Sequence, residues 1–391
     1  MNNLFKFVVN KKTNTKLYTT HTTQTKQYWK RFFKSKINLF WFTTFLLIIS
    51  ALVIALFFIK NSPSASIDDR TNLVNNLPSY FNQTITRNFN RGDELEFIRN
   101  IADLEYKEAI NNHRNLIFWI DFDSSKEIGG NQTVHTDIVT LTYNPYNLIK
   151  AINFLKLNEN NFQIKIPNGL YLGTNNQGID IYSRSIISIW ITILVIFISI
   201  FINIFISFNL ASLINFYPNN IFIKLLDKLI NTLSIIPEII WVFLLSIFIG
   251  TNWYSLLVSL SLVCWVSYYK FAKDEIKNMM SKEFIIASKS IGSSYWIIAY
   301  RHIFKYIFAN YLIMMVERFS INILIASSLS FLDFINESNN LNIGTILKEA
   351  IGIASQDPSY LILVSTFIIL FSLNLKLLSS AFANTFNPKI K

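Results

Sequence analysis

From Ile37 to Ile59 the chain runs for 23 residues without a charge. About 20 apolar residues suffice for a helix to cross roughly 30 Å of hydrocarbon, so this run is long enough to span a membrane. Further runs follow. Ser185 to Ile223 holds no ionisable group except tyrosine, and Leu229 to Gly250 is a third stretch, interrupted by Pro237 and Glu238. Trp253 to Tyr269, Tyr306 to Phe334 and Pro358 to Leu375 complete six, the fifth carrying Glu317 and Arg318 in its middle. The expected fold is an all-α polytopic membrane protein with six transmembrane helices.

The formal charge of +11 is compatible in magnitude with nucleic-acid binding, but its distribution argues against it. Residues 1–38 carry nine Lys/Arg and no acid, and residues 270–305 carry seven against three. Residues 61–180 hold ten against fourteen Asp/Glu, and residues 333–358 one against four. With six spans these segments alternate between sides, and the basic ones share a side. The positive-inside rule then places both termini and residues 270–305 in the cytoplasm of a multi-pass plasma-membrane protein. The first run exceeds the 7 to 15 apolar residues of a signal peptide and has no small-residue cleavage pattern after it, so residues 37–59 are read as a retained anchor behind a basic segment, 1–36.

Residues 61–180 are too long for a simple connector. Apolar residues at mixed spacings of three and four predict a helix over Asp93–Asn111. The β-branched Thr133–Tyr143 and the alternation Phe162, Ile164, Ile166 before a Pro-Asn-Gly turn predict strands, giving an inserted extracytoplasmic α+β domain. Little here suggests chemistry. His21, His113, His135 and His302 show no helical zinc spacing, no phosphate-binding Gly-x-x-x-x-Gly-Lys-Ser/Thr loop occurs, and Cys264, the only cysteine, lies within a span. Asp121 and Asp123 read as solvated loop residues. No cofactor, metal or catalytic residue is expected on this chain.

The polar stretch "SKEFIIASKSIGSSYWIIAYRHIFKYIF" (281–308) predicts helix, glycine turn, helix. Ser281 suits an N-cap, Glu283 the first turn and Lys289 the last. Gly292 suits a left-handed end, and Ser293 or Ser294 can cap a second helix running into span five. Phe284, Ala287 and Ile291 share one face, which fits either lipid headgroups or a soluble partner. Glu238, Glu317 and Arg318 are intramembrane ionisable groups and so functional candidates; structural pairing at a subunit interface is favoured over solute contact.

The passage "EFIIASKSIGSSYWIIAYRHIF" resembles the cytoplasmic EAA loop of ATP-binding-cassette importer permeases, in the peptide permease form E-Y-x-x-A-A-R-A-L-G-A-S followed by R-H-I-L-P. Glu283, Phe284, Ala287, Lys289, Gly292, Ser294, Arg301, His302 and Ile303 fall in matching register, while Ile286, Ser288 and Lys305 depart. "LGTNNQGIDIYSR" resembles L-G-T-D-x-x-G-R-D-x-L-S-R of the same family: Gly173, Thr174, Gly178, Asp180, Ser183 and Arg184 agree, and Asn175 and Ile179 depart. "SSLSFLDF", "IGTIL" and "SIIPE" are similar to A-S-L-S-F-L-G-L, W-G-T-M-L and the S-I-P of span three. The resemblance, over residues 172–391, is to the C-type subunit of oligopeptide and dipeptide importers. It implies a five-helix permease core at 185–391, a homologous B-type permease partner, two cytoplasmic ATP-binding subunits that carry ATP and Mg, and an extracytoplasmic binding protein. Glu283, Phe284, Ala287, Lys289, Gly292, Ser294 and Arg301 would then dock and couple to an ATPase. A permease for nickel chelates or another small solute shares these motifs. A membrane signalling or structural protein with a large outer domain is the alternative from another class, though it would need neither six spans nor this polar segment.

Overall fold

The computed structural model describes residues 24–125, 138–157, 163–250, 252–329, 340–355 and 358–386. Helices α1 (Gln24–Lys34) and α2 (Lys36–Leu56) lead into a segment with a three-stranded sheet. Helices α5 (Ile181–Phe216), α6 (Ile221–Leu233), α7 (Glu238–Ile249), α8 (Trp253–Val263), α9 (Trp265–Met280), α10 (Glu283–Ser290), α11 (Lys305–Ser328), α12 (Ile343–Ile353) and α13 (Ser359–Phe386) follow. Among the described residues, five helices are long and apolar enough to cross a membrane: α2, α5, α8 joined to α9, Ile297–Ser328 and α13. The bent pair of α6 and α7 makes up to six.

Hydrogen bonds between the helices set their directions. Tyr182 Oη donates to Ala55 O and Trp190 Nε1 to Leu52 O, so α2 and α5 run antiparallel. Asn203 donates to Leu260 O and Asn215 to Lys273 O, so α8–α9 runs parallel to α5. Ser320 donates to Ser372 O and Ser379 to Ile313 O, which makes α11 and α13 antiparallel. The sheet-bearing segment and α12 therefore lie at one end of the bundle. Helix α1, residues 217–237, α10 and the end of α13 lie at the other. Polar side chains serve as clasps between apolar helices, as expected where hydrophobicity alone gives no preference for protein over lipid.

The third span differs from expectation. The axis turns by 91° between α6 and α7 at Ser234–Pro237, because Pro237 has no N–H to continue the helical ladder. Helix α7 alone is 12 residues, about 18 Å, too short to span by itself. Helix α6 instead lies across the end of the bundle, where Asp227 accepts from Lys273 Nζ at 2.7 Å and from Tyr269 Oη at 2.5 Å. The fourth span runs on as one helix to Met280, well past Tyr269, with Cys264 buried at the α8–α9 joint.

In the segment between α2 and α5, strands β1 (Ile85–Asn90), β2 (Ile120–Asp123) and β3 (Ile138–Tyr143) form an antiparallel sheet in the order β1-β3-β2. Helix α3 (Asp93–Asn111) has the predicted bounds, and α4 (Pro145–Phe154) begins at an Asn144 cap. Leu95, Ile98 and Ile101 of α3 pack with Phe89, Leu141 and Leu148 in one core. The expected strand at Ile164–Ile166 is irregular: Asn153 Nδ2 donates to Ile164 O and its Oδ1 accepts from Ile164 N, so a side chain takes the bonds that a strand neighbour would make. Phe162 and residues 133–137 lie outside the described residues, as do His21, His135 and Leu332–Phe334.

Asp123 is not a solvated loop residue. It sits in β2, is 6% exposed, and accepts two bonds from Arg99 Nη2 at 2.9 and 3.1 Å. Glu105 is wholly buried and is held by Arg114 through two bonds of 2.6 Å and by Ile117 N–H at 2.9 Å. Burial alone would raise both carboxyls, but the hydrogen bonds from Arg114 and Ile117 on Glu105, and from Ser125 and Arg99 on Asp123, outweigh it and hold both below their ordinary values. A depressed carboxyl contributes stability that is fully present above its unfolded value and is lost as pH falls through the folded one. The sheet-bearing segment is thus expected to keep full protection at neutral pH and to loosen below about pH 4, where carboxyls ordinarily titrate. Hydrogen exchange across residues 93–123 should accelerate in acid before that of α5; equal behaviour of the two would rule out this assignment.

Candidate functional site

Two polar assemblies stand out, one at each end of the bundle, together with ion pairs between them. At the sheet end, the loop before α5 is a dense latch. Gly173 lies at φ +76°, and a Cβ there would come within 2.0 Å of Leu77 O, so no other residue fits. Thr174 is buried, donating from Oγ1 to Val74 O at 2.5 Å and accepting from Leu77 N at 2.8 Å. Asn175 Oδ1 accepts from the N–H groups of Gln177 and Ile179 at 3.0 Å, and Gly178 N–H donates to Asn175 O. The Asn175 departure therefore keeps the acceptor that an aspartate would offer. Asp180 caps α5, accepting from Tyr182 N, Ser183 Oγ and Asn61 Nδ2.

Arg184, one turn into α5, is 1% exposed. Its Nε donates to both oxygens of Glu349 on α12 at 3.0 and 2.9 Å, and its Nη2 donates to Oε1 at 2.6 Å. Nη1 reaches Pro63 O at 3.1 Å, and Asn175 Nδ2 also donates to Glu349 at 3.4 Å. One guanidinium thus joins the segment that follows α2, the start of α5 and α12. Glu349 was not among the expected site residues; the signal available was an acid in a short apolar segment just after "IGTIL". Helix α12 is set by an Asn342–Thr345 capping box, and its Ile343 N–H donates to Thr192 Oγ1 on α5.

Within the bundle, Arg318 Nη1 donates to Glu238 at 3.1 and 3.2 Å, and Ser267 also donates to Glu238. Glu317 accepts from Lys376 on α13. Both charges on α11 expected to pair at a subunit interface find partners inside the chain, and adjacent residues 317 and 318 point to different helices, as helical geometry requires. The Glu238–Arg318 pair pins the first turn of α7 to α11 just beyond the 91° break.

At the opposite end from the latch, α10 stands out from the bundle. Ile285 is its one buried side chain; Phe284, Ile286 and Ile291 are 49%, 53% and 85% exposed, and Ala287 is exposed beside them. Glu283 lies in the first turn and Lys289 in the last. Ser281 does not cap this helix. It ends α9 in right-handed conformation, its Oγ donates to Asn278 O, and Lys282 occupies the extended position before α10. The far end closes as expected: Gly292 is at φ +84°, its N–H donates to Lys289 O, and Ser293 N–H reaches back to Ser288 O at 3.2 Å. That pair of bonds is a Schellman ending. Ser288 Oγ and Ser293 Oγ bond across it at 3.1 Å.

Ser294 starts the next helix through its carbonyl, which accepts from Ile298 N–H. Over Ile297–Phe304, which includes the exposed Arg301, the winding is that of a π-helix, and it passes without a break into α11. Such windings are rare and occur often at functional sites. One glycine turn and one uninterrupted helical stretch therefore lead from the exposed face of α10 to Arg318 in the bundle.

This helix, glycine turn and helix lie within residues 207–391, which match the family described as the binding-protein-dependent transport system inner membrane component. The match to this permease family covers a little less than half of the chain. The chain is also similar to the dipeptide transport system permease protein DppC of Lactococcus lactis subsp. cremoris, 19% identical over 164 residues, which is 42% of this chain and 48% of that protein. The similarity thus spans about half the length of that relative. Within the permease match lie α10, Gly292, Glu238, Glu317 and Arg318; the latch from Gly173 to Arg184 precedes it.

Proposed function

We propose that the chain is one of two transmembrane subunits of an ATP-driven importer for oligopeptides or dipeptides. It forms half of the pathway beside a homologous B-type permease. Two cytoplasmic ATP-binding subunits, which carry ATP and Mg, engage residues 281–305, and an extracytoplasmic binding protein delivers the solute, with residues 61–180 helping to dock it. The observation that carries this reading is α10, a short helix presenting apolar side chains to solvent at the basic end of the bundle and joined by one glycine turn to the helix that enters α11. The excess of Lys/Arg in residues 1–38 and 270–305 supports a cytoplasmic position for that end and for both termini. The peptide substrate rests on the motif resemblance and on the distant relative's name.

The test is co-purification in mild detergent, followed by an ATPase assay of the reconstituted complex with its binding protein and candidate peptides. The expected result is recovery of a second permease and two phosphate-loop ATPase subunits, with hydrolysis stimulated by peptide. Isolation of this chain with neither would sink the reading. Stimulation by nickel chelates but not peptides would keep the machine and replace the substrate.

A further inference from the structure

A groove of about 300 Å³ runs along the flank of the bundle between α5 and the helix that continues from the π-helical turns. Phe201, Phe205 and Phe208 form one wall and Phe308, Leu312 and Met315 the other. Its size is at the lower end of ligand pockets, which run from roughly 300 to 1,000 Å³. Phe205 is 64% exposed, so the groove opens sideways from two spanning helices, where the surroundings are hydrocarbon.

The mouth is different in character. Tyr300 Oη donates to Asn209 Oδ1 at 2.6 Å, and Tyr295, Trp296 and Tyr300 form a chain of ring contacts that extends to Phe216 at the end of α5. Clustered Trp and Tyr at a span end mark the headgroup level of a bilayer. Arg301 and Lys305 follow directly after Tyr300 and Phe304, are exposed, and make no ion pair among the described residues. Lys273 at the same end is already neutralised by Asp227. Two cations without an ion pair among the described residues thus flank Tyr300 and Phe304 of the groove wall in the chain.

We propose that this groove is a binding site for an anionic phospholipid, with one acyl chain between the phenylalanine walls and the phosphate held by Arg301 and Lys305. The proposal goes beyond the transport reading; it rests on α5 and α11 being membrane spans and on the cytoplasmic position proposed for that end, and within residues 281–305 it gives Arg301 and Lys305 to lipid and leaves α10 and its glycine turn to the ATPase. An anionic cytoplasmic leaflet supplies the ligand. The bound lipid bridges α5 to the π-helical turns, the least regular part of the connection between α10 and α11, and holds that connection in one geometry.

The probe is a phosphatidylglycerol carrying a photoreactive acyl chain, with the full chain purified into phosphatidylcholine nanodiscs. Cross-linking is expected on the peptides containing Phe205 and Leu312, competed by unlabelled phosphatidylglycerol and not by added phosphatidylcholine. Exchanging Arg301 and Lys305 together for glutamine should weaken competition about thirtyfold, at roughly a factor of five for each cation near the surface, and Lys305→Arg should retain it. Leu312→Trp, which fills the slot, should remove the cross-link while leaving the thermal midpoint close to wild type. Equal competition by the two lipids, or cross-links confined to other helices, overturns the proposal. Loss of the cross-link when a second permease subunit is bound would also overturn it, because the groove would then be a protein interface.

Discussion

Replacing Arg184 by alanine is expected to destabilise the junction of the sheet-bearing segment with the bundle by several kcal/mol. Removing one partner of a buried pair typically costs about 3–5 kcal/mol, because the other charge is left uncompensated. Glu349 keeps 18% of its side chain exposed, so the lower part of that range applies. The loss would strand that carboxylate with Asn175 as its remaining donor from the latch and also release Pro63 O. Lysine should rescue only in part, since it keeps the charge but not the planar set of donors that reaches Glu349 and Pro63 together. The double change Arg184→Met with Glu349→Leu should recover most of the stability, as uncharged residues of similar volume often replace buried pairs without penalty. Thermal unfolding of the detergent-purified protein measures all three against the wild type. An Arg184→Ala protein that melts with the wild type, or a double variant as unstable as the single one, would refute this account of the junction.

That pair shows which information was legible in the sequence and which was not. Arg184 was visible as a motif residue, but Glu349 lies 165 residues away, and neither hydropathy nor spacing names the partner of a charge. The same holds for Glu238 and Arg318, visible as costly intramembrane groups but paired only by the packing of α7 on α11. Features set by local chemistry were readable: the bounds of α3, the left-handed Gly292 and the cation in the last turn of α10. Where a longer-range effect competed with a local one, the local reading failed. Ser281 has the right chemistry for an N-cap, yet the fourth span runs on to Met280, so Ser281 becomes the C-cap of α9 instead. Ile164 and Ile166 alternate as a strand would, but Asn153 captures the backbone first. Hydropathy counted Leu229–Gly250 as one span because it registers composition and not direction, so the 91° turn at Pro237 was invisible to it. Strands β1 and β2 escaped notice because "ITRNFN" and "IDFD" bury only one residue each.

The second large effect is expected at Gly292, and here the change should be in coupling and not in folding. A Cβ at this position would meet nothing within 4 Å, so the substitution is penalised only by the left-handed backbone, at about 1–2 kcal/mol for a non-glycine residue. The bundle, which buries no part of this turn, should be indifferent. The Schellman ending should not be, because φ +84° is what lets Ser293 N–H reach Ser288 O and aim α10 away from the helix that enters the membrane. Driving a two-state pathway from 1:99 to 99:1 takes roughly 5.5 kcal/mol of differential interaction, all of which would pass through this joint in the proposed importer. Gly292→Val is therefore expected to lower ATP-driven uptake at least about tenfold while ATP hydrolysis persists and the thermal midpoint stays near wild type. Gly292→Asn should fall between, since Asn tolerates left-handed conformation. Phe284→Asp, which places a charge on the exposed face of α10, should act one step earlier and release the ATPase subunits on purification. The two variants separate a failed joint from a failed dock: normal coupled uptake in Gly292→Val would reject the lever, and full retention of ATPase subunits by Phe284→Asp would reject the docking face.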